Sequence, residues 1–227
     1  MRLGGLLKFS MIDYPGRLAA VIFTQGCNYR CPFCHNPELV LPDLFLAPLR
    51  GEEVFSFLEK RRGQLQAVVV TGGEPTLHHD LPEFLARIKA MGYLVKLDTN
   101  GTRPDMLRDI LVSGNVDYVA MDIKSSPEGY CKATGIQADI AQIRLSVALI
   151  RSSGIVHEFR TTAFKAILAE SDMKGVVDLV GTGVVCNVRR GNLKGKILSP
   201  EVLMDAPDYT DEEWKAVLKI AHQPEAS

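Results

Sequence analysis

The sequence of 227 residues has no apolar run that approaches the roughly 20 residues of a membrane-spanning helix. Its first residues also lack the apolar segment of a secretory signal. An excess of charge of one sign is missing too, because 26 basic residues almost cancel 27 acidic ones. No long-range field therefore gathers nucleic acid or an anionic membrane. We expect a cytoplasmic protein with neither as a partner.

Cysteine is also scarce, with five residues in the chain, and three of them lie between positions 27 and 34. This odd, crowded set favours a reducing compartment and a metal-binding site over a disulfide framework. Cys131 and Cys186 remain, and we expect both to be buried structural thiols. No repeat or linker divides the chain, and 46% apolar content suffices for a full core. We expect one domain over residues 1–227.

Short β-branched runs alternate with amphipathic stretches, which is the pattern of βα units in a parallel sheet. The predicted strands cover residues 18–24, 67–71, 93–98, 116–122, 156–162 and 183–188. Right-handed crossovers curl such a sheet toward a barrel, but six units fall short of the eight that close one. The sequence therefore predicts an α/β fold, an open partial (β/α)6 barrel.

Apolar residues at helical spacing predict five helices between or after these strands. The helices are expected to begin at or beside Asp80, Pro104, Ile140, Asp172 and Thr210. Asp80 is a candidate cap for its helix, and proline is favoured in the first turn. The segment Thr210-Asp-Glu-Glu is typical of a capping box.

A CxxxCxxC motif, Cys27-Asn-Tyr-Arg-Cys31-Pro-Phe-Cys34, directly follows the first predicted strand. Three thiolates within eight residues can hold three irons of a [4Fe–4S] cluster and leave the fourth iron open for a ligand. The alternative is a zinc site of three cysteines and His35. Adjacent residues such as Cys34 and His35 fit poorly on two corners of one tetrahedron, so the motif favours the cluster.

Polar or glycine-rich residues stand at the ends of the next four predicted strands. In parallel α/β folds the carboxyl ends of the strands share one edge, where functional groups collect. The residues are Gly72-Gly73-Glu74-Pro75, Asp98-Thr99-Asn100-Gly101, Asp122-Ile123-Lys124 and, within the fifth strand, Arg160. We expect all of them to face one ligand beside the cysteines.

The cysteine motif, with Phe33 beside its last cysteine, resembles that of radical S-adenosylmethionine enzymes. Further segments are similar to the glycyl-radical-enzyme activases, and among these most like the anaerobic ribonucleoside-triphosphate reductase activating proteins. These segments are Gly4–Ser10, Ser10–Gly16, Cys34–Pro37, Thr71–Pro75, Asp98–Gly101 and Phe159–Thr162.

The resemblance implies a barrel of the radical S-adenosylmethionine type and an oxidoreductase with an iron–sulfur cofactor. The open iron would chelate S-adenosylmethionine, whose reductive cleavage would give a 5′-deoxyadenosyl radical. That radical would take a hydrogen atom from a glycine of a partner enzyme and leave a glycyl radical there. Because only two cysteines remain for a second cluster, the electron would come from an external donor such as flavodoxin or ferredoxin.

The resemblance also implies roles for single residues. Cys27, Cys31 and Cys34 would bind the metal cluster, and Phe33 would belong to the cofactor site. Gly72, Gly73 and Glu74 would contact the amino group of S-adenosylmethionine, and Thr99 and Asn100 would lie near its ribose or methionine end.

Lys124 and Arg160 would face the carboxylate of S-adenosylmethionine, and Asp13 would lie near the glycine loop of the partner. Asp98 and Asp122 would approach each other beside that carboxylate. Like charges about 4 Å apart cost on the order of 4 kcal/mol near a protein surface. We therefore predict a bound monovalent cation, sodium or potassium, in addition to Lys124.

Three other functions stay open on the sequence. The partner could be a pyruvate formate-lyase type of glycyl radical enzyme. The substrate could be a small molecule, as in the deazaguanine pathway, although those enzymes tend to show Trp-Cys-Asp where this chain has Phe33-Cys34-His35. A different class altogether would be a zinc-stabilised, non-catalytic binding module.

Overall fold

The computed structural model describes residues 1–181, 183–204 and 206–222. Its strands are β1 Leu3–Ser10, β2 Ala19–Thr24, β3 Ala67–Gly72, β4 Leu94–Thr99, β5 Tyr118–Asp122, β6 Val156–Ala163 and β7 Cys186–Arg190. They form a seven-stranded sheet whose order follows the chain from β1 to β7. β1 is antiparallel to β2, whereas each later pair of neighbours is parallel. The six parallel strands confirm the predicted α/β fold.

Helices connect the parallel strands. They are α1 Pro37–Val40, α2 Gly51–Lys60, α3 Leu81–Ala90, α4 Pro104–Val112, α5 Tyr130–Thr134, α6 Ile140–Ser152, α7 Glu170–Val180, α8 Pro200–Met204 and α9 Asp211–Ala221, with short 3-10 helices at Pro42–Leu44 and Pro75–Leu77. Within the described ranges, none of these helices combines the length and apolar character needed to cross a bilayer.

The two faces of the sheet are unlike. Side chains alternate between the faces along each strand, so Ala20 and Ile22 pack under the helices in the large core. Ala19 and Val21 point the other way, into a small cluster that contains no helix residue and includes Tyr14. We call this second side the inner face. On β4, β5 and β6 the inner face carries charged side chains, and they form part of the site described below.

Strand β1 and helix α2 were not among the predicted elements. β1 has two adjacent glycines and no β-branched residue, so its composition carries little strand propensity. Pairing with β2 stabilises it instead, through a register that matches Leu6 with Ile22 and Leu7 with Val21. The partial barrel therefore carries one antiparallel strand at its edge in addition to the six predicted units.

Helix starts were predicted with mixed success. Thr210 caps α9 as expected, since its hydroxyl accepts a hydrogen bond from the Glu213 N–H at 3.2 Å. α3 begins at Leu81 with Asp80 in the N-cap position, as predicted, but the Asp80 carboxylate makes no capping hydrogen bond and pairs with the chain's amino terminus instead. α7 begins at Glu170, two residues before the predicted start, and Asp172 accepts from the Ala169 N–H at 2.7 Å.

The two remaining cysteines differ from each other. Cys186 is fully buried at the start of β7, as predicted, whereas Cys131 is exposed. The prediction failed for Cys131 because α5 buries its other side, through Tyr130, Ala133 and Thr134. The last predicted strand, residues 183–188, also lies later than expected, at Cys186–Arg190.

Candidate functional site

The three motif cysteines follow the carboxyl end of β2 and line one cavity. Cys31 is buried with 8% of its surface exposed, and Cys27 and Cys34 are half-buried. The other lining residues come from the loop that carries the cysteines, from α1 and from the ends of the strands β3, β4 and β5. They are Tyr29, Phe33, Val40, Thr71, Gly72, Gly73, Glu74, Asp98, Thr99, Asn100, Asp122 and Lys124.

Residues 25–36, which connect β2 to α1 and carry the three cysteines, are called the cysteine loop. Main-chain hydrogen bonds from distant parts of the chain hold this loop. The Arg30 N–H donates to the Thr134 carbonyl oxygen at 2.7 Å, and the Leu198 N–H donates to the Cys34 carbonyl oxygen at 3.0 Å. Inside the loop, the Arg30 guanidinium donates to the Cys27 carbonyl oxygen at 2.8 Å. Because these partners are protein groups, the surrounding fold contributes to the shape of the loop.

Burial raises the pKa of the Cys27 thiol to about 11 and that of the Cys31 thiol to about 12, and it raises the pKa of Cys34 as well. The thiols are therefore neutral until a cation favours their thiolate forms. The Tyr29 N–H donates to the Cys27 sulfur at 3.4 Å, a contact that favours the thiolate. Three soft sulfur donors on one cavity wall fit an iron–sulfur cluster.

A single metal ion fits the site poorly. In the described part of the chain, no three His, Cys, Asp or Glu side chains converge to hold one ion. His35, the proposed fourth zinc ligand, is exposed. Each cysteine of a cluster binds a different iron, so three thiols on separate corners need not converge. The zinc alternative is not supported.

Gly72 and Gly73 bring the end of β3 against the cysteine loop. A β-carbon on Gly73 would lie 2.0 Å from the Gly26 carbonyl oxygen, and one on Gly72 would lie 2.2 Å from the Thr24 nitrogen. Gly72 also has a φ of +128°, which L-residues with side chains avoid. The structure thus requires glycine at both positions so that two backbones can pack together beside the cavity.

The carboxylate of Glu74 is buried, with 1% exposure, and it joins two loops. It accepts hydrogen bonds from the Thr76 N–H at 3.1 Å, from the Thr99 hydroxyl at 2.7 Å and from the Asn100 N–H at 2.7 Å. Burial raises its pKa, and these donors oppose that effect. Both carboxylate oxygens accept hydrogen bonds from within the chain. Glu74 therefore fastens the loop after β4, residues 100–103, to the loop after β3, residues 73–80; we call them the β4 loop and the β3 loop.

Asn28 and Thr102 are residues of the site that the motifs did not single out. The Asn100 amide donates to Asn28 Oδ1 at 3.0 Å, and Asn28 Nδ2 donates to Thr102 Oγ1 at 2.9 Å. Asn100 Oδ1 in turn accepts from the Thr102 hydroxyl at 2.7 Å. This triangle links the cysteine loop to the β4 loop. Because Asn28 lies inside the cysteine motif, its position was the available clue.

Charged residues cover the inner face directly below the cavity. Arg160 lies between two carboxylates, with Nε 2.8 Å from Asp122 Oδ1 and Nη1 3.3 Å from Asp98 Oδ2. Lys124 Nζ is 3.1 Å from the second oxygen of Asp122. The strand register explains the arrangement, because Asp122 is directly opposite Arg160. Asp98, Asp122, Lys124 and Arg160 were predicted to lie together, and the structure does bring them together.

These neighbouring charges shift the pKa values of the two aspartates. Although burial alone would raise the pKa of Asp122, the Arg160 guanidinium and the Lys124 ammonium hold it well below its usual range. Burial does raise the pKa of Asp98, against the influence of Arg160 and Lys96. Arg160 supplies the positive charge between the two aspartates, so the repulsion that motivated a monovalent cation is already relieved. The cation remains a prediction that rests on the resemblance.

Phe33 forms the floor of the cavity beside Lys124. It is buried, its ring stacks on Phe164 with centroids 5.9 Å apart, and Lys124 Nζ lies 5.9 Å from its ring centroid. Two predicted site residues do not line the cavity, namely Arg160, which reaches it through Asp98 and Asp122, and Asp13 in the turn after β1. The contacts predicted between site residues and S-adenosylmethionine stay predictions.

Comparison with known proteins agrees with this arrangement. Residues 21–171 match the Radical SAM superfamily. The "Putative glycyl-radical enzyme activating enzyme MJ1227" of Methanocaldococcus jannaschii is 33% identical over 181 residues, which cover 78% of this chain and 74% of that protein. The chain therefore belongs to the radical SAM superfamily, whose members are enzymes.

Similarity to other members is more partial. A probable GTP 3′,8-cyclase of Thermococcus kodakarensis is 36% identical over 118 residues, which cover 51% of this chain and 38% of the cyclase. The structure of coproporphyrinogen III oxidase from Escherichia coli, a radical SAM enzyme, superposes with a TM-score of 0.61 at 13% identity. That match covers 92% of this chain and 52% of the oxidase, and it shows the shared fold alone.

Proposed function

We propose that this chain is the activating enzyme of a glycyl radical enzyme, and specifically of anaerobic ribonucleoside-triphosphate reductase. The observation that carries the proposal is the cavity, where three cysteine thiols face Lys124 and the ends of β3 and β4. The similarity to MJ1227 extends over three quarters of both chains and supports an activating enzyme. The identity of the reductase rests on the sequence resemblance.

Cys27, Cys31 and Cys34 would hold a [4Fe–4S] cluster, and the loops after β3 and β4 would hold S-adenosylmethionine. Bound together, these groups would supply reductive cleavage of the sulfonium and a 5′-deoxyadenosyl radical. The chain's own contribution is a rigid, largely buried wall, which excludes water from a reactive species. Lys124 presents a cation to the cavity and keeps its proton, because its neighbour Asp122 raises its pKa despite burial.

The cavity wall is pre-organised by the protein. Glu74 fastens the β4 loop to the β3 loop, and Gly73 packs that loop against the cysteine loop. Such a wall supports binding without reorganisation when the cofactor enters. Pre-organisation of this kind favours an enzyme that must direct a radical to one hydrogen atom.

The substrate would be a protein, and the hydrogen atom would leave the Cα of one glycine. Asp13 is proposed to contact the segment that carries this glycine. An external flavodoxin or ferredoxin would supply the electron, and the location would be the cytoplasm. Sodium or potassium near Asp98 and Asp122 is a further element of the proposal. Replacement of both ions by a bulky organic cation would slow S-adenosylmethionine cleavage if that element holds.

The test is anaerobic reconstitution with iron and sulfide, followed by dithionite and S-adenosylmethionine. We expect a brown protein that forms 5′-deoxyadenosine, measured by mass spectrometry. Addition of anaerobic ribonucleotide reductase should then give a glycyl signal in electron spin resonance, whereas pyruvate formate-lyase should give none. Cys31→Ala should abolish both products, and Cys131→Ala, which changes an exposed cysteine, should retain them.

The possible failures have distinct meanings. No 5′-deoxyadenosine would contradict the radical S-adenosylmethionine reaction itself. 5′-Deoxyadenosine without a glycyl signal on either protein would contradict the activating function and favour a small-molecule substrate. A signal on pyruvate formate-lyase alone would correct the identity of the partner.

A further inference from the structure

Lys96 is a buried lysine on the inner face that no motif singled out. Its side chain is 3% exposed, and its Nζ donates to the main-chain carbonyl oxygen of Asp13 at 2.7 Å. The same nitrogen lies 3.3 Å from Asp98 Oδ1 and 3.5 Å from Glu158 Oε1. A buried ammonium is costly unless its three N–H groups find acceptors. Lys96 Nζ donates one hydrogen bond, to the Asp13 carbonyl oxygen, and two carboxylates of opposite charge lie within ion-pair distance, so its surroundings favour a cation.

The backbone oxygen that Lys96 binds belongs to the turn between β1 and β2, residues 11–17, which we call the Asp13 turn. Ser10 holds the start of the turn, because its hydroxyl accepts from the Asp13 N–H at 3.2 Å and donates to the Asp13 carboxylate at 2.5 Å. Tyr14 is buried against Tyr118, with ring centroids 5.8 Å apart. The tip of the turn is open to solvent, since Ile12 is 86% exposed.

Lys96 also belongs to the charged series that leads to the cavity. Its neighbour Asp98 contacts Arg160, Arg160 contacts Asp122, and Asp122 contacts Lys124 at the cavity wall. Alternating charges in contact lock one another's side-chain positions, because each shift would separate a pair of opposite charges. The Asp13 turn is therefore tied, through one ammonium, to the residues that line the cofactor cavity.

We propose that Lys96 is a positioning residue that holds the Asp13 turn at a fixed place relative to the cofactor cavity. The inference rests on the proposed function, in which that turn receives the glycine-bearing segment of the partner. A radical formed in the cavity acts on one C–H bond only when that bond is held in reach. Lys96 provides the alignment from the enzyme's side by holding the turn, and it is not among the residues that line the cavity.

The first test measures the turn itself. Hydrogen–deuterium exchange with mass spectrometry is applied to the reconstituted enzyme and to its Lys96→Met and Lys96→Arg variants. Loss of one hydrogen bond from a charged donor should speed exchange in residues 11–17 about tenfold or more in Lys96→Met. Lys96→Arg keeps the charge and should restore most of the protection. Unchanged exchange in Lys96→Met would overturn the proposal.

A matched control is Lys89→Met. Lys89 also pairs with a carboxylate, with Nζ 2.5 Å and 2.7 Å from the oxygens of Asp117, but it is on α3 and donates no hydrogen bond to the Asp13 turn. It should leave exchange in residues 11–17 as in the wild type. Equal acceleration by Lys89→Met and Lys96→Met would show a general loosening of the fold and would also overturn the proposal.

The second test measures coupling, as the number of glycyl radicals formed per 5′-deoxyadenosine. We expect this ratio to fall about tenfold in Lys96→Met, to recover in Lys96→Arg and to be unaffected in Lys89→Met. If Lys96→Met fails to fold, the double variant Lys96→Met/Glu158→Gln is measured in its place. The double variant removes one charge of each sign, so the charges on the inner face stay balanced. An unchanged ratio contradicts the proposal. If wild-type enzyme forms no glycyl radical, the proposed function fails, while the exchange experiment still decides the role of Lys96.

Discussion

Arg160→Gln removes the guanidinium that separates two carboxylates on the inner face. Ion pairs link three cations and three carboxylates at this face, namely Lys96, Lys124, Arg160, Asp98, Asp122 and Glu158. After the substitution two cations face three carboxylates, and Asp122 loses its contact at 2.8 Å. The variant therefore leaves Asp122 with Lys124 as its remaining cation and leaves one net negative charge among these partly buried groups.

Removal of one partner of a fully buried ion pair costs about 3–5 kcal/mol. Arg160 is 16% exposed and Asp122 is 35% exposed, so water screens part of this loss. We expect a decrease of about 2–4 kcal/mol in the free energy of unfolding. For a chain of this size that corresponds to a fall of about 4–16 °C in melting temperature.

The assay is urea unfolding at neutral pH, followed by circular dichroism, with calorimetry as a second measurement. Arg87→Gln is the control, because Arg87 also makes a bidentate pair, with Glu52, but on the exposed surface. Its loss should barely change the unfolding midpoint. Arg160→Gln with Asp122→Asn restores equal numbers of charges and should recover much of the stability. Equal effects of the two arginine substitutions would refute the reasoning.

Three further predictions follow from the site. Gly73→Ala places a β-carbon 2.0 Å from a neighbouring backbone carbonyl and should reduce the iron bound on reconstitution, whereas Gly51→Ala, which has open space, should not. At pH 8 iodoacetamide should modify exposed Cys131 quickly and Cys186 slowly, because burial raises the pKa of Cys186 to about 11. Burial alone would raise the pKa of Asp122, but the neighbouring cations lower it. The stabilising contribution of Asp122 should therefore be complete above about pH 4 and should be lost progressively as the pH falls below that value. Urea unfolding midpoints measured across this pH range check the prediction.

Much of the fold could be predicted because parallel strands are buried on both faces. Val68, Val69 and Val70 form a continuous apolar run, which is typical of such a strand. β1 escaped prediction because its stability comes from pairing with β2, not from its composition. Cys131 escaped for a related reason, since only the packing of α5 decides which side of a short helix meets solvent.

The site divides in the same way. The cysteine spacing is local, so it indicated a cluster before any contact was known. The partners of Glu74 are not local, because Asn100 lies 26 residues away along the chain. The motifs suggested a carboxylate directed at a ligand, whereas the structure has that carboxylate bonded to the neighbouring loop.

The sequence by itself determined the number and order of the parallel strands and the grouping of three cysteines, because hydrophobic periodicity and short spacing act within a few residues. Only the tertiary structure decided how the charges on the inner face compensate one another. Lys96 and Asp98 lie two residues apart on β4, whereas Asp122 and Arg160 lie on β5 and β6, and strand register sets Asp122 opposite Arg160. Burial then makes each contact matter, since a charge removed from water requires a partner at hydrogen-bond distance.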